Sequence, residues 1–221
     1  MNLTEIFGGQ KFVEHLIAEN KVPPIQAIKF GYLLAGNGLF IRAKRKEFSV
    51  CLPLSLTSVK GLPDVQSEII WHQPQIPSGI WQEILTNARE GSDSFEFKED
   101  VYVVCWSEKH AEWQWKSIGM KRHYASTIAD DALEEYGEAC LEIHTHPPNA
   151  IHFSQMDDHD EQGKFRLFGI LIDVHEPRPK VRFRCGIYDH FVQIPADEIG
   201  EMPAELFDLN SVEQAIKKQW K

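Results

Sequence analysis

The chain has 221 residues, 43% of them hydrophobic, which suffices for the core of one large domain or two small ones and makes disorder an unlikely ground state. Its net charge of -10 argues against a nucleic-acid backbone as the main partner, because such binding relies on a clustered basic surface. No run approaches the roughly 18 consecutive apolar residues of a membrane span; with "MNLTEIFGGQKFVEH" lacking the basic start and apolar run of a signal peptide, a soluble cytoplasmic protein is expected.

Residues 12 to 19, "FVEHLIAE", read as a short helix. In "GYLLAGNGLFIRA" the pair Asn37-Gly38 between apolar runs predicts a hairpin. Together they suggest a small N-terminal α+β region over residues 1–75. The basic run "IRAKRKEF" (Arg42, Lys44, Arg45, Lys46) reads as the solvent face of an alternating strand. Pro74 and Pro77 in "HQPQIPSG" mark a boundary.

Beyond it, Ile80, Trp81, Ile84, Leu85 and Ala88 recur at helical spacing, with Ser78 to cap the start and Gly91 to end the helix. "VYVVCW" and "AEWQWKSIGM" predict a hairpin joined by the turn "SEKH". Thr127 and Asp130 resemble a capping box opening an acidic helix. "ACLEIHTH" reads as a strand stopped by Pro147-Pro148, since proline supplies no ladder donor. "FRLFGILIDVH" suits a central strand, and "KVRFRCGIY" alternates Val181, Phe183, Cys185 and Ile187 inward with Arg182 and Arg184 outward. Residues 201–221 close the chain with a helix carrying Leu206, Leu209, Val212, Ile216 and Trp220. Residues 76–200 thus form an α/β or α+β domain with a mixed sheet. The separated cysteines Cys51, Cys105, Cys140 and Cys185 fit reduced thiols better than a disulfide framework.

The chemistry concentrates in "EIHTHPPNAIHFSQMDDHDE", residues 142 to 161. Residues two apart on a strand share a face, so His144 and His146 project together as half of a metal site. After the Pro-Pro break, Ser154 and Asp157 have the S-x-x-D form that opens a helix, a geometry able to return Asp157 to the two imidazoles. Two His and one carboxylate leave a fourth position on zinc for water, the ligand arrangement of hydrolytic sites. His152, Asp158, His159, Asp160 and Glu161 offer ligands for a second metal. A carboxylate-rich helix start is the simpler reading, since the helix dipole favours it, and the residues after Asp157 are then surface.

His144, His146, Pro147, Ser154 and Asp157 match the pattern H-x-H-P, six residues, S-x-x-D without a gap, and so resemble the JAMM metallopeptidase family. The resemblance implies a cytidine-deaminase-like fold of JAMM/MPN type, one zinc ion held by His144, His146 and Asp157, and hydrolysis of peptide or isopeptide bonds at the C-termini of ubiquitin-like proteins. It implies that Ser154 stabilises the oxyanion, and that a glutamate from an earlier strand serves as general base and acid. "FEFKED" offers Glu96 and Glu99; Glu99 leads directly into the apolar strand and is preferred, with Glu142 a rival on strand parity. The family's small, Gly-containing strand is replaced here by Val101, Tyr102, Val103 and Val104, and Thr145 stands where a serine is more usual.

The whole chain, through "GYLLAGNGLFIRA" and "HFSQMDDHDEQGKFRLFG", also resembles the bacterial group called PRTRC system protein A. That implies a gene cluster encoding an E1-like protein, a second candidate partner beside a ubiquitin-like protein or its conjugate. A different class of function is a zinc-bearing scaffold that binds such a partner without cleaving it. Nucleobase deaminases share the implied fold, but their P-C-x-x-C signature is missing from the sequence.

Overall fold

The computed structural model describes residues 11–91, 99–120 and 137–213. The chain divides into two compact units, Met1–Pro74 and Gln75–Lys221. It is an α+β protein with two mostly antiparallel sheets and few helices, and no helix among the described residues is long and apolar enough to cross a membrane.

In the first unit the segment expected to be helical is instead a strand, β1 (Val13–Ile17), paired in parallel with β2 (Phe30–Ala35). The segment is too short for its period to decide between helix and strand; in the strand Glu14, Leu16 and Ala18 alternate onto one face, and Leu16 and Ala18 pack with Leu33, Ala35 and Phe40. The described part of this unit is therefore all β, completed by β3 (Gly38–Lys44), β4 (Phe48–Leu56) and β5 (Glu68–Trp71) in the order β1-β2-β3-β4-β5. The Asn37-Gly38 hairpin forms between β2 and β3. Gly38 has φ 148°, and a Cβ there would meet the Ser55 carbonyl oxygen at 2.2 Å, so glycine is required.

The basic run is not uniformly a solvent face. Lys44 and Lys46 are exposed, but Arg42 is buried, lies 3.9 Å from Glu14 and donates to the Pro23 carbonyl. A guanidinium can be buried where a carboxylate from the neighbouring strands crosses to meet it.

The second unit opens with helix α1 (Ser78–Gly91), whose Ile80, Trp81, Ile84, Leu85 and Ala88 are buried as the spacing predicts. Strands β6 (Asp100–Ser107) and β7 (Glu112–Met120) form the expected hairpin. Then come β8 (Leu141–His146), helix α2 (Gln155–Asp160), β9 (Phe165–Ile172), β10 (Lys180–Ile187), β11 (His190–Ile194) and the short β12 (Phe207–Asp208), which pairs with β10. The sheet order is β11-β10-β9-β8-β6-β7, with β8 and β9 the parallel pair. A parallel pair needs a crossover connection, and residues 147–164 with α2 supply it. The expected acidic helix after Thr127 lies outside the described residues. Of the expected C-terminal helix, residues 209–213 are helical and 214–221 also lie outside them.

The two faces of this sheet are both covered. On one, Trp81 of α1 packs edge-on against Phe183 at 5.5 Å between ring centroids. Phe183 crosses Gly169, its partner on β9, where a Cβ would meet the ring at 2.6 Å. On the other face lie Glu142, His144 and His146 of β8, Arg166 of β9, and Arg182 and Arg184 of β10. The two β10 arginines therefore do not point to solvent: they are 2% and 4% exposed. Alternation predicted which face they take, while the acidic segments that cover them come from elsewhere in the chain.

Candidate metal centre

Three elements build the centre. β8 ends at His146, where Pro147 withdraws the backbone from the ladder. Because the strand alternates, His144 and His146 share a face; their Nε2 atoms lie 2.8 Å apart. The return loop is tied down at Asn149, which has φ 64° and whose N–H donates to Asp173 Oδ1 at 3.1 Å. Burial works against the Asp173 charge, but hydrogen bonds from Lys180 and from Asn149 N–H outweigh it and hold the carboxyl below its usual range.

Ser154 then caps α2. Asp157 N–H donates to Ser154 Oγ at 3.2 Å, and Ser154 N–H donates to Asp157 Oδ2 at 2.6 Å, a complete capping box. The same box orients the Asp157 carboxylate toward the histidines. Oδ1 lies 3.1 Å from His144 Nε2 and Oδ2 lies 3.3 Å from His146 Nε2. All three side chains are buried.

This donor set fits a metal ion. The two imidazole Nε2 atoms lie 2.8 Å apart and each faces one Asp157 oxygen, at 3.1 and 3.3 Å, so one ligand atom from each residue can close on a single ion. His146 Nδ1 lies 2.9 Å from the Ala150 carbonyl oxygen. A carbonyl only accepts, so Nδ1 carries a proton and Nε2 is the nitrogen that faces the cluster. A buried His-His-Asp triad of this shape could bind a divalent cation, and it is the one such cluster among the described residues.

Glu99 is half-buried and directly precedes β6. β6 and β8 are antiparallel with Val101 opposite His144 as the last pair of the ladder, so Glu99 lies two residues beyond that pair, at the end of β6 nearest the histidines. Asp100 N–H donates to Thr145 Oγ1 at 2.9 Å, tethering the start of β6 to β8. Thr145 thus has a structural task one residue from each histidine. Glu96 lies outside the described residues. Glu142 shares the histidine face but is held by Arg166, Nη1 to Oε2 at 3.0 Å, with Lys164 at 3.9 Å.

The residues after Asp157 are not simply surface. Asp158 is half-buried and Glu161 is 2% exposed, and both meet Arg184. Burial pushes the Glu161 carboxyl up to about 8 against the opposing pull of Arg184. The tertiary partners Ala150, Asp173, Arg166, Arg184 and Phe153 have no motif of their own. The available signal was the arginine pair in "VRFRC" alternating against the acidic helix.

No model of a known family matches the chain, and no curated protein matches it significantly. The likeness to JAMM metallopeptidases stands on the motif residues alone.

Proposed function

We propose that the protein is a zinc-dependent peptidase or isopeptidase of JAMM type, acting at the C-terminus of a ubiquitin-like protein or a related amide. The observation that carries this reading is the convergence of His144, His146 and Asp157, buried and with their ligand atoms close together, from a motif whose five positions are all filled. Zinc at these residues would supply a Lewis acid that polarises a carbonyl and brings the ionisation of water to about pH 7.

The chain's own residues have defined tasks. Glu99 takes the proton of the attacking water and returns it to the leaving amine. Ser154 is exposed and its Oγ accepts from Asp157 N–H, which leaves the hydroxyl proton available to an oxyanion developing on the substrate. Ala150 and the capping box hold the ligands in orientation, so their geometry does not have to be reassembled at each turnover.

Incubation of the full chain with conjugates of a ubiquitin-like protein, with and without a chelator, tests the reading. Chelator-sensitive release of the ubiquitin-like protein is expected. Binding of the conjugate without cleavage would instead establish the scaffold function, and neither binding nor cleavage would sink both.

A further inference from the structure

We infer that Arg184 is the positioning residue of the metal centre, holding ligands from two different elements in one register. The inference rests on the reading of His144, His146 and Asp157 as metal ligands.

Arg184 reaches the centre by two routes. Its Nε donates to Glu161 Oε2 at 2.8 Å, its Nη2 lies 2.7 Å from the same oxygen, and its Nη1 donates to Asp158 Oδ1 at 2.6 Å. Asp158 follows Asp157 directly, and Glu161 N–H donates to the Asp157 carbonyl at 3.0 Å, so both contacts fix the turn of α2 that presents Asp157. The second route is aromatic. The guanidinium carbon lies 3.9 Å from the Phe153 ring centroid and 4.1 Å from that of Phe191. Phe153 in turn meets the His144 ring edge-on at 6.4 Å, and it immediately precedes Ser154. One buried side chain therefore touches the helix behind one ligand and the ring beside another.

The chemistry of this clamp needs arginine. A planar guanidinium donates in its plane to two carboxylates while its faces lie against two rings; an ammonium keeps the charge but has neither the fork nor the flat faces. Arg182 provides an internal comparison. It lies two residues away on the same sheet face, is equally buried, and pairs with Glu213 and Gln193 instead of α2. Loss of either arginine removes a buried guanidinium and its ion pair, but only Arg184 leads to the ligands.

Cobalt(II) serves as the probe, titrated into the full chain against a chromophoric chelator, with visible absorption reporting ligand geometry. Arg184→Met is expected to weaken cobalt by about 10- to 100-fold and to alter the absorption bands, while Arg182→Met stays within about twofold of the parent even if it melts earlier. Arg184→Lys is expected to fold yet remain several-fold weaker than the parent, and it decides the matter if Arg184→Met does not fold. Amide exchange across residues 153–161 is expected to quicken in the Arg184 variants without metal. Parent-like cobalt affinity in both Arg184 variants, or an equal loss in Arg182→Met, would overturn the inference. A parent chain that binds no cobalt would overturn the metal reading itself, whatever the exchange rates show.

Discussion

At the scale of single residues, the sharpest distinction is between holding the metal and moving the proton. Glu99 is half-buried and two residues beyond the Val101–His144 pair, so Glu99→Gln should retain zinc at parent stoichiometry while lowering turnover by about 10²–10⁴-fold. Metal content with a cleavage assay checks this, and an active Glu99→Gln variant would move the role to Glu96 or Glu142. Asp173 carries a second prediction. Its pKa in the folded chain is lowered, so its contribution is present above the unfolded pKa and is lost as pH falls through the folded one. Asp173→Asn, which removes the charge facing Lys180 and Asn149, should cost about 1–2 kcal/mol at neutral pH. The two proteins should converge in urea unfolding as the pH drops below about 4. Cys51, Cys140 and Cys185 are buried free thiols, and burial raises Cys51 to about 11, which fits the expectation of reduced cysteines.

At the scale of elements, sequence and structure diverge where a local pattern was short or its partner distant. The apolar residues of α1 recur over three turns and are buried as spaced. By contrast "VEHLIA" holds too few positions to separate period 3.6 from period 2, and pairing with β2 decides for a strand. The arginines of β10 show the other failure: alternation fixes their common face but carries no information on whether α2 and residue 213 will cover it. The β9–β10 pair offers a direct test of packing. Phe183 lies over Gly169 and supports Trp81, so Gly169→Ala should destabilise the protein by about 1–3 kcal/mol through overpacking, measurable by denaturant unfolding.

At the scale of the whole molecule, the centre sits at the end of β8 and on the crossover to β9, so metal binding should be linked to the stability of the unit from Gln75 onward. Zinc at a hundredfold excess over Kd should add about 2.7 kcal/mol, raising that unit's thermal midpoint by roughly 5–10 °C. Calorimetry with and without a chelator measures the shift, and an unchanged midpoint at saturating zinc would count against a site formed only in the fold. What the sequence by itself determined was the convergence of the candidate ligands. A strand's two-residue period, a proline stop and a capping box are local rules, and they suffice to aim His144, His146 and Asp157 at one point. Only the tertiary structure decided what holds them there: the Ala150 carbonyl on His146, the Arg166 pairing that holds Glu142 beside them, and the Arg184 clamp behind α2. Those partners lie up to some tens of residues away in the chain, and which buried charge meets which is set by strand order and register, quantities that no local pattern encodes.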